Sequence, residues 1–362
     1  MDLESAGTSN GIPSNKKLKY TLEKDISKRD WTILPETVLK RIFSYLDVQS
    51  INNCAQLCST FFRLSKDSSL YKTLHVNYGM SANALEYHIS KVTRPSNVII
   101  HYASDQSNSD DYTTYNQYVL RILENYGEYI LSLELNNCRE EDVITELKHC
   151  VNLKSLILFN CKGTFNALVS FSKLTAIDFS YCHFSQKVVS TTVKNNPSLY
   201  SLYLRNNVNI NLNELIEIIT EQLYNIKELH INENKQLRSK SLKLLSRLKN
   251  LKKLSLISNE GFICNPEDSL EFLAAGCPHL ESLCIDNWSE INDTNLISAL
   301  RLCSQLMTLE LRRTNITIKS CKEAALSLPL LKSLIVDKCQ KVKKSQLISL
   351  REDFEDLDIP IL

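Results

Sequence analysis

From Ile130 to the end of the chain, apolar residues recur in one spacing. An apolar residue is followed by two others, then an apolar residue, one other, an apolar residue, two others, and finally Asn or Cys. The pattern reads Ile130/Leu133/Leu135/Cys138, Leu153/Leu156/Leu158/Cys161, Leu174/Ile177/Phe179/Cys182, Leu199/Leu202/Leu204/Asn207 and Ile226/Leu229/Ile231/Asn234. It continues at Leu251/Leu254/Leu256/Asn259, Leu280/Leu283/Ile285/Trp288, Leu306/Leu309/Leu311/Thr314 and Leu331/Leu334/Val336/Cys339, and closes at Phe354/Leu357/Ile359. The L-x-L pair alternates with period two, which predicts a short strand with one buried face. The Asn or Cys that follows sits where the chain turns, where its side chain can serve backbone groups the bend leaves unpaired. Helical stretches such as Leu212–Leu223 return the chain to the next strand. One such unit cannot bury its own apolar face, whereas stacked units share a continuous core and form a solenoid. Two weaker pairs, Leu74/Val76 and Val98/Ile100, precede the clear set. The polar run Ser104–Asp111 reads as a loop, and the final "FEDLDIPIL" as a strand that caps the last edge.

Ile33–Leu64 follows a different period. Pro35 suits the first position of a helix, and Val38, Leu39, Ile42, Phe43 and Leu46 follow at helical spacing. Asp47 and Ser50 offer caps for a second helix carrying Ile51, Cys54, Ala55 and Cys58. A third carries Phe61, Phe62 and Leu64. Three short helices fall below the size that usually folds alone, and they hold more large apolar side chains than so small a core can bury. The surplus implies a protein partner.

Composition narrows the function. The chain has 362 residues, 43% of them hydrophobic, and a net charge of +1, so no global field points to nucleic acid. The N-terminus lacks an apolar signal segment and no run is long enough for a membrane span, so no membrane partner is expected. Residues 1–29 are polar and without periodicity, which predicts a disordered arm. Seven glycines and no phosphate-loop or nucleophile-elbow motif argue against an enzyme of those classes. Twelve cysteines in a large chain without a secretory signal read as reduced thiols, which places the protein in the cytoplasm, the nucleus or both. The repeat itself places Cys138, Cys161, Cys182 and Cys339 at turns, and Cys150, Cys277 and Cys303 three residues before a strand's first apolar residue. Cys54 and Cys58 come nearest to a metal spacing, yet have no His nearby, so no metal site and no cofactor is expected.

The successive copies start 21–29 residues apart, which is the leucine-rich-repeat period. The front block resembles the F-box. The residues that carry the likeness are Leu34-Pro35-Glu36, Leu39, Ile42-Phe43, Leu46, Leu57-Cys58, Phe61-Phe62, Leu64 and Leu70-Tyr71, with Phe62 and Tyr71 where the family often has Trp. The resemblance implies a right-handed α/β horseshoe of leucine-rich repeats (77–362) behind an F-box (30–76). It also implies a non-catalytic substrate receptor of a Skp–cullin–F-box ubiquitin ligase. The first twelve of those residues, from Leu34 to Leu64, would dock a Skp-family adaptor. Through the adaptor the chain would reach a cullin–RING core, and the repeats would bind an unknown protein substrate. The alternative from the residues alone is a repeat scaffold that works without a ligase. An enzyme with a site in the concave face would need a charged constellation that the pattern does not offer.

Residues flanking each L-x-L pair point out on the concave face. Most are small or polar. The exceptions, Ile157, Phe159, Tyr203, Arg205, His230 and Ile257, are the candidate substrate contacts, since aromatics and Arg anchor interfaces. Phe159 and Tyr203 have a plainer reading too, as side chains that pack on neighbouring strands. The basic run Leu237–Lys253 keeps Leu242, Leu245 and Leu248 at helical spacing, so it reads as a convex helix with a solvated outer face rather than a nucleic-acid patch.

Overall fold

The strands fall where the L-x-L pairs place them. The structure is a computed structural model that describes residues 31–46, 48–92, 94–103, 110–207, 209–232, 237–258 and 268–362. The polar arm and residues 104–109 lie outside the described residues. Asp110 and Asp111, expected in a loop, instead open a long helix.

The chain divides into two units, residues 1–71 and 72–362. In the first, three short helices follow one another: α1 (Glu36–Phe43), α2 (Val48–Ala55) and α3 (Ser59–Leu64). Their core is Leu39, Phe43, Val48, Ile51, Leu64 and Tyr71. Phe43 meets the edge of Phe61 at 5.2 Å between ring centres. Pro35 stands one position before the helix, at its cap. Ser50 lies inside α2 rather than capping it, and Asp47 is outside the described residues.

The second unit is one sheet of eleven parallel strands in sequence order. These are β1 (Thr73–Asn77), β2 (Asn97–His101), β3 (Ser132–Asn136), β4 (Ser155–Phe159), β5 (Ala176–Ser180) and β6 (Ser201–Arg205), then β7 (Glu228–Asn232), β8 (Lys253–Ile257), β9 (Ser282–Asp286), β10 (Thr308–Arg312) and β11 (Ser333–Asp337). Each strand has five residues, and the second and fourth are buried throughout. Connecting helices include α4 (Ala82–Lys91), α5 (Asp110–Tyr126), α6 (Glu141–Glu146), α7 (Gln186–Asn195), α8 (Leu212–Gln222) and α9 (Ser239–Leu245), the last two where the sequence places them. Because β1 pairs with β2, the solenoid begins at Lys72, a few residues ahead of the expected boundary at 77.

Two backbone features repeat between strands. The residue after the strand adopts a left-handed conformation at Asn137, Asn160, Tyr181, Asn206, Asn287, Arg313 and Lys338. Its N–H then donates to the last carbonyl of the next strand, as from Asn137 to Phe159 (2.8 Å) and from Tyr181 to Arg205 (2.8 Å). The following residue turns inward. Cys161 Sγ lies 3.1 Å from the Leu135 carbonyl and 3.4 Å from that of Phe159. Cys182 meets Leu158 and Ser180 at 3.4 and 3.3 Å, and Cys339 meets Leu311 and Asp337 at 3.5 and 3.6 Å. Asn207 Nδ2 donates to Phe179 at 2.6 Å and Arg205 at 3.1 Å. The turn side chain thus supplies a donor to carbonyls that the ladder has left behind.

The closing copy is a correction to the sequence reading. Only Asp358 bridges to Ser333, and no strand forms over Phe354–Ile359. Asp358 N–H donates to Lys332 and Leu334 N–H donates to Asp358, both at 2.9 Å. The next donor in that ladder would be residue 360, which is proline and has no N–H to give.

The Oδ1 of Asn207 is buried without a partner while its Nδ2 serves two carbonyls. Asn207→Ala is therefore expected to destabilise the chain by about 2–3 kcal/mol through the orphaned carbonyls. Asn207→Cys, which keeps a donor and removes the unpaired oxygen, should lose well under half of that. Denaturant unfolding of both variants beside the wild type checks the difference.

Candidate functional site

In the helical unit α1 carries two apolar stripes. Leu39 and Phe43 face inward. Val38 and Ile42, with Tyr45 three residues on in the turn past the helix end, form a second stripe that stays exposed. Ile42 is 39% exposed where its neighbour Phe43 is 2%. Trp31, Ile33, Leu57 and Phe62 are exposed as well, so this short unit holds seven of the chain's twenty exposed large hydrophobic side chains among the described residues. So dense a set of exposed apolar side chains is uncommon on a unit of this size.

The expected adaptor contacts separate on this structure. Pro35, Glu36, Ile42, Leu57 and Phe62 are exposed, and Leu34, Leu46, Cys58 and Phe61 are half-buried. Leu39, Phe43 and Leu64 are corrections: they form the unit's own core, so they shape the surface without lying on it. Cys58 also has a local task, accepting from Phe61 N–H at 3.5 Å to cap α3. Glu36 is held between Lys40 at 3.2 Å and Arg63 at 3.0 Å. Lys40 reaches Asp67 at 2.9 Å, and that bond brings the Asp67 carboxyl down to about 2. This chain of ion pairs ties α1 to α3 and to the segment that follows. Val38, Tyr45, Trp31 and Ile33 were not singled out as contacts from sequence. The spacing of Val38 and Tyr45 with Ile42 is the signal that was available.

On the open face of the sheet, the first, third and fifth residues of each strand point away from the core. The face is not uniformly exposed, since Asn136, Ser180, Ser201, Ser255 and Asp286 are buried there. Its centre is a cluster of the predicted residues. Tyr203 and His230 occupy the same register on β6 and β7, and their rings stack 4.0 Å apart and 7° from parallel. The Arg205 guanidinium lies 5.1 Å from the centre of the Tyr203 ring. Tyr203 OH donates to Glu228 at 3.0 Å, and Lys253 pairs with the other oxygen of Glu228 at 2.7 Å. Burial pushes the Tyr203 hydroxyl up to about 12, with Glu228 adding to it. Burial raises Glu228 too, but its bonds from Lys253 and Tyr203 outweigh that and hold it below the usual range.

Phe159 is 41% exposed and packs 5.3 Å from Tyr181, so its ring both touches a neighbour and remains open to a partner. Ile157 and Ile257 are half-buried on the same face. Ile257 lies beyond β7 and is not part of the aromatic cluster. Tyr181 was missed because it stands outside the strand, at the left-handed position where four of the seven repeats have Asn. A bulky residue in an Asn slot was the signal.

Among the described residues no helix is long and apolar enough to cross a membrane, and no group of three or more His, Cys, Asp or Glu side chains is placed to hold a metal ion. Cys54 and Cys58 are half-buried free thiols. The basic run around α9 buries Leu242, Leu245 and Leu248 and turns its lysines outward or to its flanks.

Burial, with Arg205 and Lys253 opposing Glu228, lowers His230 from 6.5 to about 4. The folded state therefore binds fewer protons at this site than the unfolded chain between those values. The stability it contributes is complete above pH 6.5 and is lost as the pH falls toward 4. His230→Phe, which keeps a ring against Tyr203, should show a flatter loss of stability over that window than wild type. Unfolding curves at several pH values test this, and the His230 ring signals should titrate near 4 by NMR.

Residues 31–77 match the F-box-like family profile. The match ends with β1, so it runs past the helical unit into the first strand of the solenoid. No curated protein matches the chain. Among solved structures, the chain is similar to one from the crystal structure of the Rad7 and Elc1 complex in yeast. The identity is 16%, with 96% of this chain and 92% of that one covered and a TM-score of 0.47. It is also similar to an internalin from Listeria monocytogenes at 14% identity, with 86% and 93% covered and a TM-score of 0.47. A segment matching the F-box-like family, residues 31–77, is followed by a solenoid whose sheet has eleven parallel strands.

Proposed function

We propose that the chain is the non-catalytic substrate-recognition subunit of a Skp–cullin–F-box ubiquitin ligase, working in the cytoplasm or nucleus. The observation that carries this reading is the apolar crowding on the F-box-like unit. Val38, Ile42, Tyr45, Leu57 and Phe62 stand exposed on short helices and the turns that follow them, in a unit too small to use them internally. In this reading they dock a Skp-family adaptor, and the open face of the sheet holds a substrate protein. The chain itself then performs no bond chemistry. It raises the effective concentration of a substrate lysine beside a ubiquitin-charged enzyme brought by the cullin–RING core. Leu39, Phe43 and Leu64 fix the helices that present the contact residues, and the Glu36–Lys40–Asp67 chain of charges holds their spacing.

Ile42→Glu and Leu57→Glu change exposed positions and should leave the fold intact. Each is expected to weaken binding of a purified Skp-family adaptor by more than about 10-fold, as truncation of a central interface anchor does. Phe159→Ala, on the sheet face, should bind as wild type. A folded wild-type chain that does not bind the adaptor would refute the reading and leave the solenoid as a free-standing scaffold.

A further inference from the structure

The centre of the sheet face holds polar groups that the chain itself leaves unmatched. Arg205 is 40% exposed, and its nearest carboxylate, Asp178, lies 3.8 Å away, beyond hydrogen-bonding reach. Its Nε is buried without a partner. Arg313, at the turn after β10, shows what a matched guanidinium looks like, gripping Asp286 with two bonds of 2.7 and 2.8 Å. Beside Arg205, the Nε2 of His230 is also buried without a partner, and the stack on Tyr203 fixes the plane of its ring. Asp178 gains little from Arg205: burial raises its carboxyl despite the bond from Ser180.

An apolar platform adjoins these groups. The backbone N–H of Tyr181 donates to the Arg205 carbonyl at 2.8 Å, which places Tyr181 next to Arg205. The Tyr181 ring pairs with Phe159, and both are about two-fifths exposed. Tyr181 holds a left-handed backbone at φ 58°, a conformation that is disfavoured for a non-glycine residue and that Asn bears more easily.

We propose that this face binds a partner protein through one carboxylate side chain, seated on Arg205 and within reach of His230, next to an apolar side chain that rests on Phe159 and Tyr181. The proposal rests on the receptor reading above and names the chemistry its substrate must present. Arginine can only donate, so its missing partner is an acceptor, and a carboxylate offers two acceptor oxygens to the guanidinium fork. Charge selects a single negative group. Arg205 and Lys253 face Asp178, Glu228 and, two strands from Asp178, Glu134, and Glu228 is already engaged by Lys253 and Tyr203. One carboxylate brings a single charge to the unmatched guanidinium, whereas a doubly charged phosphate would be set against three native carboxylates.

The test is selection of short randomised peptides displayed on phage against the full chain, followed by affinity measurement of synthetic copies. The expected result is enrichment of Asp or Glu at one fixed position beside an apolar residue. For those peptides, Arg205→Gln should weaken binding by about 10- to 100-fold, the range of a charge-assisted hydrogen bond. Arg205→Lys should lose less. Tyr181→Asn relieves the backbone and so should fold at least as well as wild type while binding several-fold more weakly. Ile335→Ala, far along the same face, should change nothing. Replacing the peptide's acid by its amide should match the loss seen in Arg205→Gln, and replacing it by phosphoserine should not improve binding. If selected peptides need Phe159 and Tyr203 but show no acidic preference, or ignore Arg205→Gln, the carboxylate assignment is wrong and the receptor face stands. If no peptide is retained, or retained peptides are indifferent to Phe159→Ala and Tyr203→Ala, the receptor-face reading itself falls, and with it the proposal.

Discussion

A row of buried carbonyls between strands is the constraint on which the solenoid depends. Each strand is only five residues long, so its ladder ends while the chain is still inside the protein. The carbonyls there cannot reach water, and leaving them unpaired would cost about 1–3 kcal/mol for each group. The turn residue solves this locally, with Cys161, Cys182, Asn207 and Cys339 placing a donor between the carbonyl of their own strand and that of the strand before. A second buried row does similar work. Asn196 donates to Phe171 and Thr192 at 2.8 Å, and accepts from Leu174 at 2.8 Å. Cys277 and Cys303, in equivalent positions, meet the carbonyls of Leu245 and Ala299 at 3.5 Å. Repeats therefore stack because each one completes the hydrogen bonding of its neighbour as well as its apolar core.

The same constraint accounts for what could be read from the sequence. Strand positions were legible because burial at alternate residues leaves a strict apolar trace, and the turn donors were legible because so few side chains can fill that slot. Cysteines that would otherwise invite a metal or disulfide reading are explained by it. Helices were less legible, since only one face of each is buried and that face tolerates mixed composition, including the Tyr115 hydroxyl that donates to the carbonyls of Val76 and His101. Asp110 and Asp111 look like loop residues but open α5, whose Tyr112 and Tyr115 are buried beside Tyr102. Phe354–Ile359 satisfies the apolar pattern and still forms no strand, because side-chain spacing does not report that the residue after Ile359 lacks an N–H. In the F-box-like unit the helical period gave the helices, but it could not say which stripe of α1 would face inward. Leu39 and Phe43 were grouped with Ile42 on spacing alone, and only packing against Phe61 and Leu64 divides them.

The open face follows from the rigidity of the sheet beneath it. Its side chains stand on strands whose register is fixed on both sides, so the positions of Phe159, Tyr203 and His230 do not have to be organised when a partner arrives. Preorganisation of this kind lowers the entropy lost on binding. The exception is the residue after each strand, which belongs to the turn and not to the ladder's alternation. At that place the backbone is fixed by its bond to the next strand, while the side chain is free to differ from repeat to repeat. Asn fills it where only the turn matters. Tyr181, Arg313 and Lys338 fill it with side chains that the left-handed backbone disfavours. Arg313 recovers part of that cost by gripping Asp286. Tyr181 gains a ring contact with Phe159, yet two-fifths of it stays in water. Strain that the chain's own contacts only partly offset at Tyr181 fits the docking role proposed for this platform.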